Sequence, residues 1–169
     1  MPRSGRQNRL TSQVGEYLVV AELARRGLIA TTFAGNVPDY DVVATDEHGR
    51  HVSVQVKTSN SDSWQFNISS FCSIRFQGKR QILGRAHRSH VRKLLAILVR
   101  LSSDSEVRDR FFVLTWTKLR NIIVAAHREW LSLHNGVRPR NTRSLHTALN
   151  VEQVQRYENR WKNVFDNLY

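Results

Sequence analysis

An aspartate at position 41, a glutamine at 55 and a lysine at 57 give two oxygen donors and one ammonium, a set suited to phosphoryl chemistry. Hydrolysing a phosphodiester is slow because the phosphate repels an attacking anion and the leaving alkoxide is poor. A hard divalent cation meets both difficulties by polarising the phosphoryl oxygen and acidifying a bound water. Mg²⁺ takes oxygen ligands, and one or two carboxylates completed by waters and phosphate suffice. In that chemistry Asp41 ligates the ion and Gln55 offers its amide oxygen. Lys57 orients or deprotonates the attacking water and offsets phosphate charge.

These residues must be positioned by the elements around them. Val52, Val54 and Val56 alternate with Ser53, Gln55 and Lys57, so the segment from His51 to Lys57 reads as a strand with Gln55 and Lys57 on one face. Asp41 to Thr45 reads as its partner, joined through Asp46-Glu47-His48-Gly49 into an antiparallel hairpin. Pairing then brings Asp41, at the start of one arm, beside Gln55 and Lys57, near the end of the other. Upstream, Thr11/Ser12 is an N-cap signal and Gly27 a stop for a helix over about Ser12 to Arg26, with Val14, Leu18, Ala21 and Ala24 at helical spacing. At about 100° per residue, Glu22, Arg25 and Arg26 form the solvated side of that helix, and Glu16 falls beside Val19, Val20 and Leu23. Glu16 is therefore an acid on the buried side, free to reach toward the hairpin.

This arrangement resembles the PD-(D/E)XK, or restriction-endonuclease-like, superfamily in a QxK variant. The likeness is carried by Gly15-Glu16, by Pro38-Asp39-Tyr40-Asp41-Val42-Val43-Ala44 and by Val54-Gln55-Val56-Lys57-Thr58-Ser59, and covers roughly residues 12 to 60. It is similar to Holliday junction resolvases and to Mrr-like and homing-type endonucleases. The resemblance implies a restriction-endonuclease-like α/β core, in which an N-terminal helix packs on a mixed sheet containing a β-hairpin. It implies Mg²⁺, with Mn²⁺ able to substitute, bound by Asp41, Gln55 and Glu16, and catalysis by these residues with Lys57. Pro38-Asp39 spells the motif literally, but Asp41 abuts the apolar strand; Asp41 is preferred as the ligand, with Asp39 auxiliary. Gln55 departs from the usual acid, removing a negative charge that would strengthen cation binding.

The rest of the chain fits a nucleic-acid enzyme. A formal net charge of +12 on 169 residues recruits polyanions. No acidic residue occurs between Ser63 and Ser103, where Arg75, Lys79, Arg80, Arg85, Arg88, Arg92 and Lys93 form a basic block read as a phosphate-contacting surface. Trp64, Phe66 and Ile68 alternate as a further strand, with Trp64 and Phe66 offered as base-stacking candidates. Leu94 to Leu101 and Arg110 to Trp116 read as buried strands. Helices are expected over Lys118 to Leu133 and Val151 to Leu168, the latter burying Val154, Tyr157, Trp161 and Phe165 against the domain or a second subunit.

The expected organisation is a basic N-terminal arm over 1–11 and one nuclease-like domain over 12–169, with a C-terminal helical extension from about 117 to 169. A homodimer or higher homo-oligomer would suit an enzyme cutting both strands. One cysteine, Cys72, excludes an internal disulfide and, with no secretory signal in the polar opening and no membrane-spanning apolar run, points to a cytoplasmic protein. His87 and His90, or His48 and His51, have metal-like spacing, but no Cys or acid stands near the first pair and zinc is not expected. The function expected is a Mg²⁺-dependent DNA endonuclease. Its rivals are a catalytically silent DNA-binding protein of the same fold and a basic RNA-associated structural protein.

Overall fold

The computed structural model describes residues 5–33, 39–104 and 106–169. Its centre is a five-stranded sheet in which β1 (Ile29–Thr32), β2 (Val42–Thr45) and β3 (His51–Ser59) form an antiparallel meander. Parallel to β3 runs β7 (Leu95–Arg100), and β8 (Arg110–Thr115) closes the sheet antiparallel to it. The β2–β3 hairpin is set by its turn: Asp46 Oδ1 accepts from His48 and Arg50 N–H groups, and Gly49 supplies a φ of +76°. As expected, β7 is apolar on both sides because it is covered on both.

One face of the sheet carries α1 (Gly5–Ala24). Val19 and Leu23 pack there on Val42, Ala44, Val52, Val54, Ile97 and Val113. The other face carries α2 (Trp116–Leu133), with Leu119 and Ile123 on Ala96, Leu98, Phe112 and Leu114. A second layer lies on that same face: β4 (Ser63–Asn67) pairs with β9 (His146–Asn150), and β5 (Cys72–Gln77) pairs with β6 (Arg80–Ala86) as a separate two-stranded ribbon. The architecture is thus mixed α/β, an N-terminal helix on a mixed sheet containing a hairpin. Among the described residues no helix is long and apolar enough to cross a membrane.

Several expectations need correction. Helix α1 begins not near Ser12 but at Gly5, so residues 5–11 of the expected basic arm are helical, since nothing from Arg6 to Leu10 breaks a helix and most of these residues favour one; residues 1–4 of the expected arm, and Pro38, lie outside the described residues. The buried seam of α1 is Gly15, Val19 and Leu23, with Val14 45 % exposed and Ala21 and Ala24 also outward. The seam is rotated because Gly15 lets the helix backbone sit directly on Thr58 of β3. Glu22, expected in solvent with Arg25 and Arg26, pairs with both, and the Arg26 guanidinium lies 4.0 Å over the Trp161 ring. The helix ends as expected at Gly27, where φ is +85°: Leu28 N–H reaches Leu23 O and Gly27 N–H reaches Ala24 O.

The expected helix from Val151 to Leu168 is broken into α3 (Val151–Val154), a 3₁₀ turn and α4 (Lys162–Phe165). The break is dictated by the edge of the sheet. Glu158 bridges Phe112 and takes both oxygens' bonds from Arg110, each at 2.8 Å, while Asn159 turns with φ +51° and donates to Phe111 O. The chain thereby crosses from one face to the other, covering the outer edge of β8. Val154 ends in the α2-side core and Trp161, Val164 and Leu168 in the α1-side core, while Phe165 is 43 % exposed. A single helix could not serve both faces.

Two predictions concern this scaffold. A Cβ on residue 15 would overlap Thr58 Oγ1, so Gly15→Ala is expected to destabilise the fold by about 1–3 kcal/mol, as overpacking does. Denaturant unfolding checks this, and adding Thr58→Ala should recover part of the loss. His127, 2 % exposed on α2, hydrogen-bonds Gln81 Oε1 at 3.3 Å. Burial first, then the charges of Arg138 and His146, lowers its pKa to about 4. The folded protein therefore holds the ring neutral while the unfolded chain protonates near pH 6.5. Stability present above about 6.5 drains as pH falls toward 4, by about 3 kcal/mol. His127→Gln should lose distinctly less between pH 7 and 4.5, and equal losses would refute the assignment.

Candidate active site

The hairpin register ends with Val42 paired to Val54, which brings Asp41 to the end of β2 beside the stretch of β3 that carries Gln55. Asp41 N–H donates to Val54 O at 2.9 Å, and its carboxylate Oδ2 accepts from Val56 N–H at 2.7 Å. The side chain thus takes the place of the next rung where β2 has no residue to offer, which fixes the carboxylate at the strand end. Parity along β3 sends the Val54 carbonyl and the Val56 N–H toward β2, and so aims the Val56 carbonyl at the same gap. Gln55 and Lys57 stand on the α2-side face, next to Ala96 and Leu98 of β7.

Glu16 comes from the opposite side of the sheet. The contact of Gly15 with Thr58 holds α1 against the end of β3, and Glu16 passes beyond the start of β2 to line the same cleft as Asp41, Gln55, Val56 and Lys57. The cleft encloses about 970 Å³. Its floor is Leu94, Ala96, Leu98, Phe71 and Trp116, and its far wall holds Gln65, Asn67, His87, Arg88, His90 and His146. Asp39 reaches the rim, exposed, with a φ of +79° that Asp tolerates better than most residues.

The electrostatics of the two acids are set first by burial. Burial pushes the Glu16 carboxyl above its ordinary pKa, and the neighbouring Asp41 charge pushes it further. Asp41 is also raised, chiefly by burial, although the Val56 N–H and the Lys57 charge oppose the shift. Two desolvated acids of like sign are each eased by an ion placed between them. Among the described residues no group of three or more His, Cys, Asp or Glu side chains converges. The oxygens that could hold an ion here are the two carboxylates, the Gln55 amide oxygen and the Val56 carbonyl, hard donors that would suit Mg²⁺ or Mn²⁺ better than zinc. The carbonyl carried no signal in the sequence, since it follows from where β2 stops.

The residues of the expected basic block are all exposed and are carried on several elements. Arg75, Lys79, Arg80 and Arg85 stand exposed on the β5–β6 ribbon, and Arg88 lies on the cleft wall. Arg92 and Lys93 share a second cavity with Arg88 and also touch the C-terminus: Arg92 lies 5.0 Å over Tyr169, and Lys93 donates to Leu168 O. Exposed Arg140 and Arg143 join the ribbon from the loop after α2, with Arg143 4.6 Å over Phe76. Their distance in sequence concealed them. Trp64 is no stacking platform; it is 1 % exposed and donates to Val99 O, whereas Phe66 does line the cleft, with Lys57 Nζ 5.8 Å above its ring.

No protein-family model and no curated protein matches the sequence. Among solved structures, a bacterial homing endonuclease, I-Ssp6803I, is similar with a TM-score of 0.41 and 15 % identity, over 67 % of this chain and 72 % of that one.

Proposed function

We propose that the chain is a metal-dependent DNA endonuclease of the PD-(D/E)XK kind, with Asp41, Gln55, Lys57 and Glu16 as its working residues. The observation that supports this most is their convergence on one cleft from three separate segments of the chain. Glu16, Asp41, the Gln55 amide and the Val56 carbonyl would hold a Mg²⁺ ion, whose chemistry is to polarise the phosphoryl group and acidify water. Lys57 donates to the attacking water or accepts its proton, and its charge offsets that of the phosphate. The far wall adds Arg88 toward the incoming backbone, and the net charge of +12 draws in DNA from solution.

The neutral Gln55 favours a second reading, a DNA-binding protein that does not cut, because a missing carboxylate weakens hold on the ion. Purified protein incubated with plasmid, branched and single-stranded DNA in Mg²⁺ or Mn²⁺ separates the two. Cleavage that vanishes in chelator is expected. No cleavage by wild type or by Gln55→Glu, together with salt-sensitive binding that ignores metal, establishes the silent binder instead.

A further inference from the structure

The cleft accounts for a phosphate at the reacting centre but for nothing that would choose among DNA sequences. The β5–β6 ribbon is built for that. Its two ends are anchored at the cleft, since Ser70 and Phe71 precede β5, and His87 and Arg88 follow β6, and all four line it. From there the ribbon runs to a turn at Gly78, whose φ is +59°.

The two faces of the ribbon differ in kind. Inward, Ile74, Phe76, Gln81 and Leu83 are buried or half-buried. Gln81, 5 % exposed, locks the ribbon to the loop after α2: its N–H donates to Gly136 O, and its amide donates to Thr142 O and Ser144 O. Arg80 adds a bond to Asn135 O. Outward, the register places Arg75 beside Ile82 and Gln77 beside Arg80. Arg75, Gln77 and Lys79 are exposed, and Ile82 is 36 % exposed. Neither the ribbon nor the bracing loop through residue 151 contains an acid. A rigid, exposed, acid-free ribbon with polar and apolar side chains in fixed register is poorly explained as a solvated surface.

We infer that the outer face of the β5–β6 ribbon enters the major groove of duplex DNA and reads base edges with Arg75, Gln77 and Ile82. A two-stranded ribbon fits a groove about 12 Å wide. Alternate residues of a strand stand about 6.8 Å apart, twice the ~3.4 Å rise of a base pair, so Arg75 and Gln77 meet positions two pairs apart. Arginine matches the two acceptors of guanine, glutamine matches the acceptor and donor of adenine, and an apolar side chain matches the thymine methyl. Lys79, Arg85 and Arg140 flank the reading face and meet phosphates. Six residues of strand at ~3.4 Å each put the recognised bases within ~20 Å of the acid pair. The inference rests on the reading above in taking DNA as the substrate, and makes that substrate duplex and sequence-specific.

The test is selection of full-length protein on a random duplex pool in chelator, where no cutting is needed, followed by dimethyl sulfate footprinting. Wild type is expected to enrich a defined sequence and protect guanine N7 within it. Arg75→Ala and Gln77→Ala should each reduce preference for that sequence over random duplex by about 10- to 100-fold. Lys79→Ala should weaken both alike. Duplex RNA, whose major groove is too narrow to read, should compete poorly. Absence of any enriched sequence, equal weakening of selected and random DNA by Arg75→Ala, or full competition by duplex RNA overturns the assignment. A protein that enriches a site yet never cuts in Mg²⁺ sinks the endonuclease reading and leaves the ribbon standing, whereas cutting without an enriched site does the reverse.

Discussion

Asp41→Ala is expected to lower Mg²⁺-dependent DNA cleavage by at least about 10³-fold, and Lys57→Ala by about 10²- to 10⁴-fold, the range over which a positioned proton-transfer group contributes. The two losses should differ in character. Asp41 holds the ion's place and also receives the Val56 N–H at the end of β2, so its removal should raise the Mg²⁺ concentration needed for half-maximal rate along with lowering the rate. Lys57 is exposed, with its ammonium over the Phe66 ring, so its removal should disturb metal dependence and folding less than loss of Asp41 does. Single-turnover cleavage across a Mg²⁺ titration reads both quantities. Cleavage by both variants equal to wild type would mean a contaminating nuclease, and a Lys57→Ala defect confined to metal affinity would remove the lysine from the chemical step.

How far the sequence discloses this site depends on whether short-range geometry decides it. Strand alternation and a turn carry the β2–β3 hairpin, and these are local rules, so Asp41, Gln55 and Lys57 are legible as neighbours from the sequence. Glu16 was legible as an acid turned inward, but the agent that brings it to the cleft is Gly15, and a glycine has no apolar signal for a periodicity to find. The rotated seam of α1 follows from the same blindness. The ribbon and β9 went unread because their buried residues are few: β9 buries only Thr147 and Leu149, and β6 buries a glutamine, Gln81. The interrupted C-terminal helix is a different failure. Val154, Tyr157, Trp161 and Phe165 do repeat at helical spacing, but the exposed edge of β8 and the Arg110–Glu158 pair outweigh local propensity. Non-local demands of the sheet are invisible to a window along the chain.

Asp41→Asn should make the metal-free protein more stable. Burial raises the Asp41 pKa in the folded state, which outweighs the help of Val56 N–H and Lys57. A carboxyl that is harder to ionise when folded costs stability as pH climbs through the ordinary carboxylate range and beyond, because the unfolded chain releases the proton first. Asparagine carries no such charge, and its amide oxygen can still accept from Val56 N–H. At neutral pH in chelator the gain is expected to be about 0.5–2 kcal/mol, typical of relieving a functional site, and it should shrink below pH 4, where the wild-type carboxyl is also neutral. Mg²⁺ should act in the opposite sense. At ten times its dissociation constant it stabilises a protein that binds it by about 1.4 kcal/mol, and only the wild type has the second carboxylate beside Glu16. Thermal unfolding of the two proteins in chelator and in Mg²⁺ is therefore expected to show the gap narrowing by about 1.4 kcal/mol, with the order reversed where the gain in chelator is smaller than that. A wild type more stable than Asp41→Asn without metal, or an equal Mg²⁺ shift in both, would show that the acid pair is not held against its own repulsion for the sake of an ion.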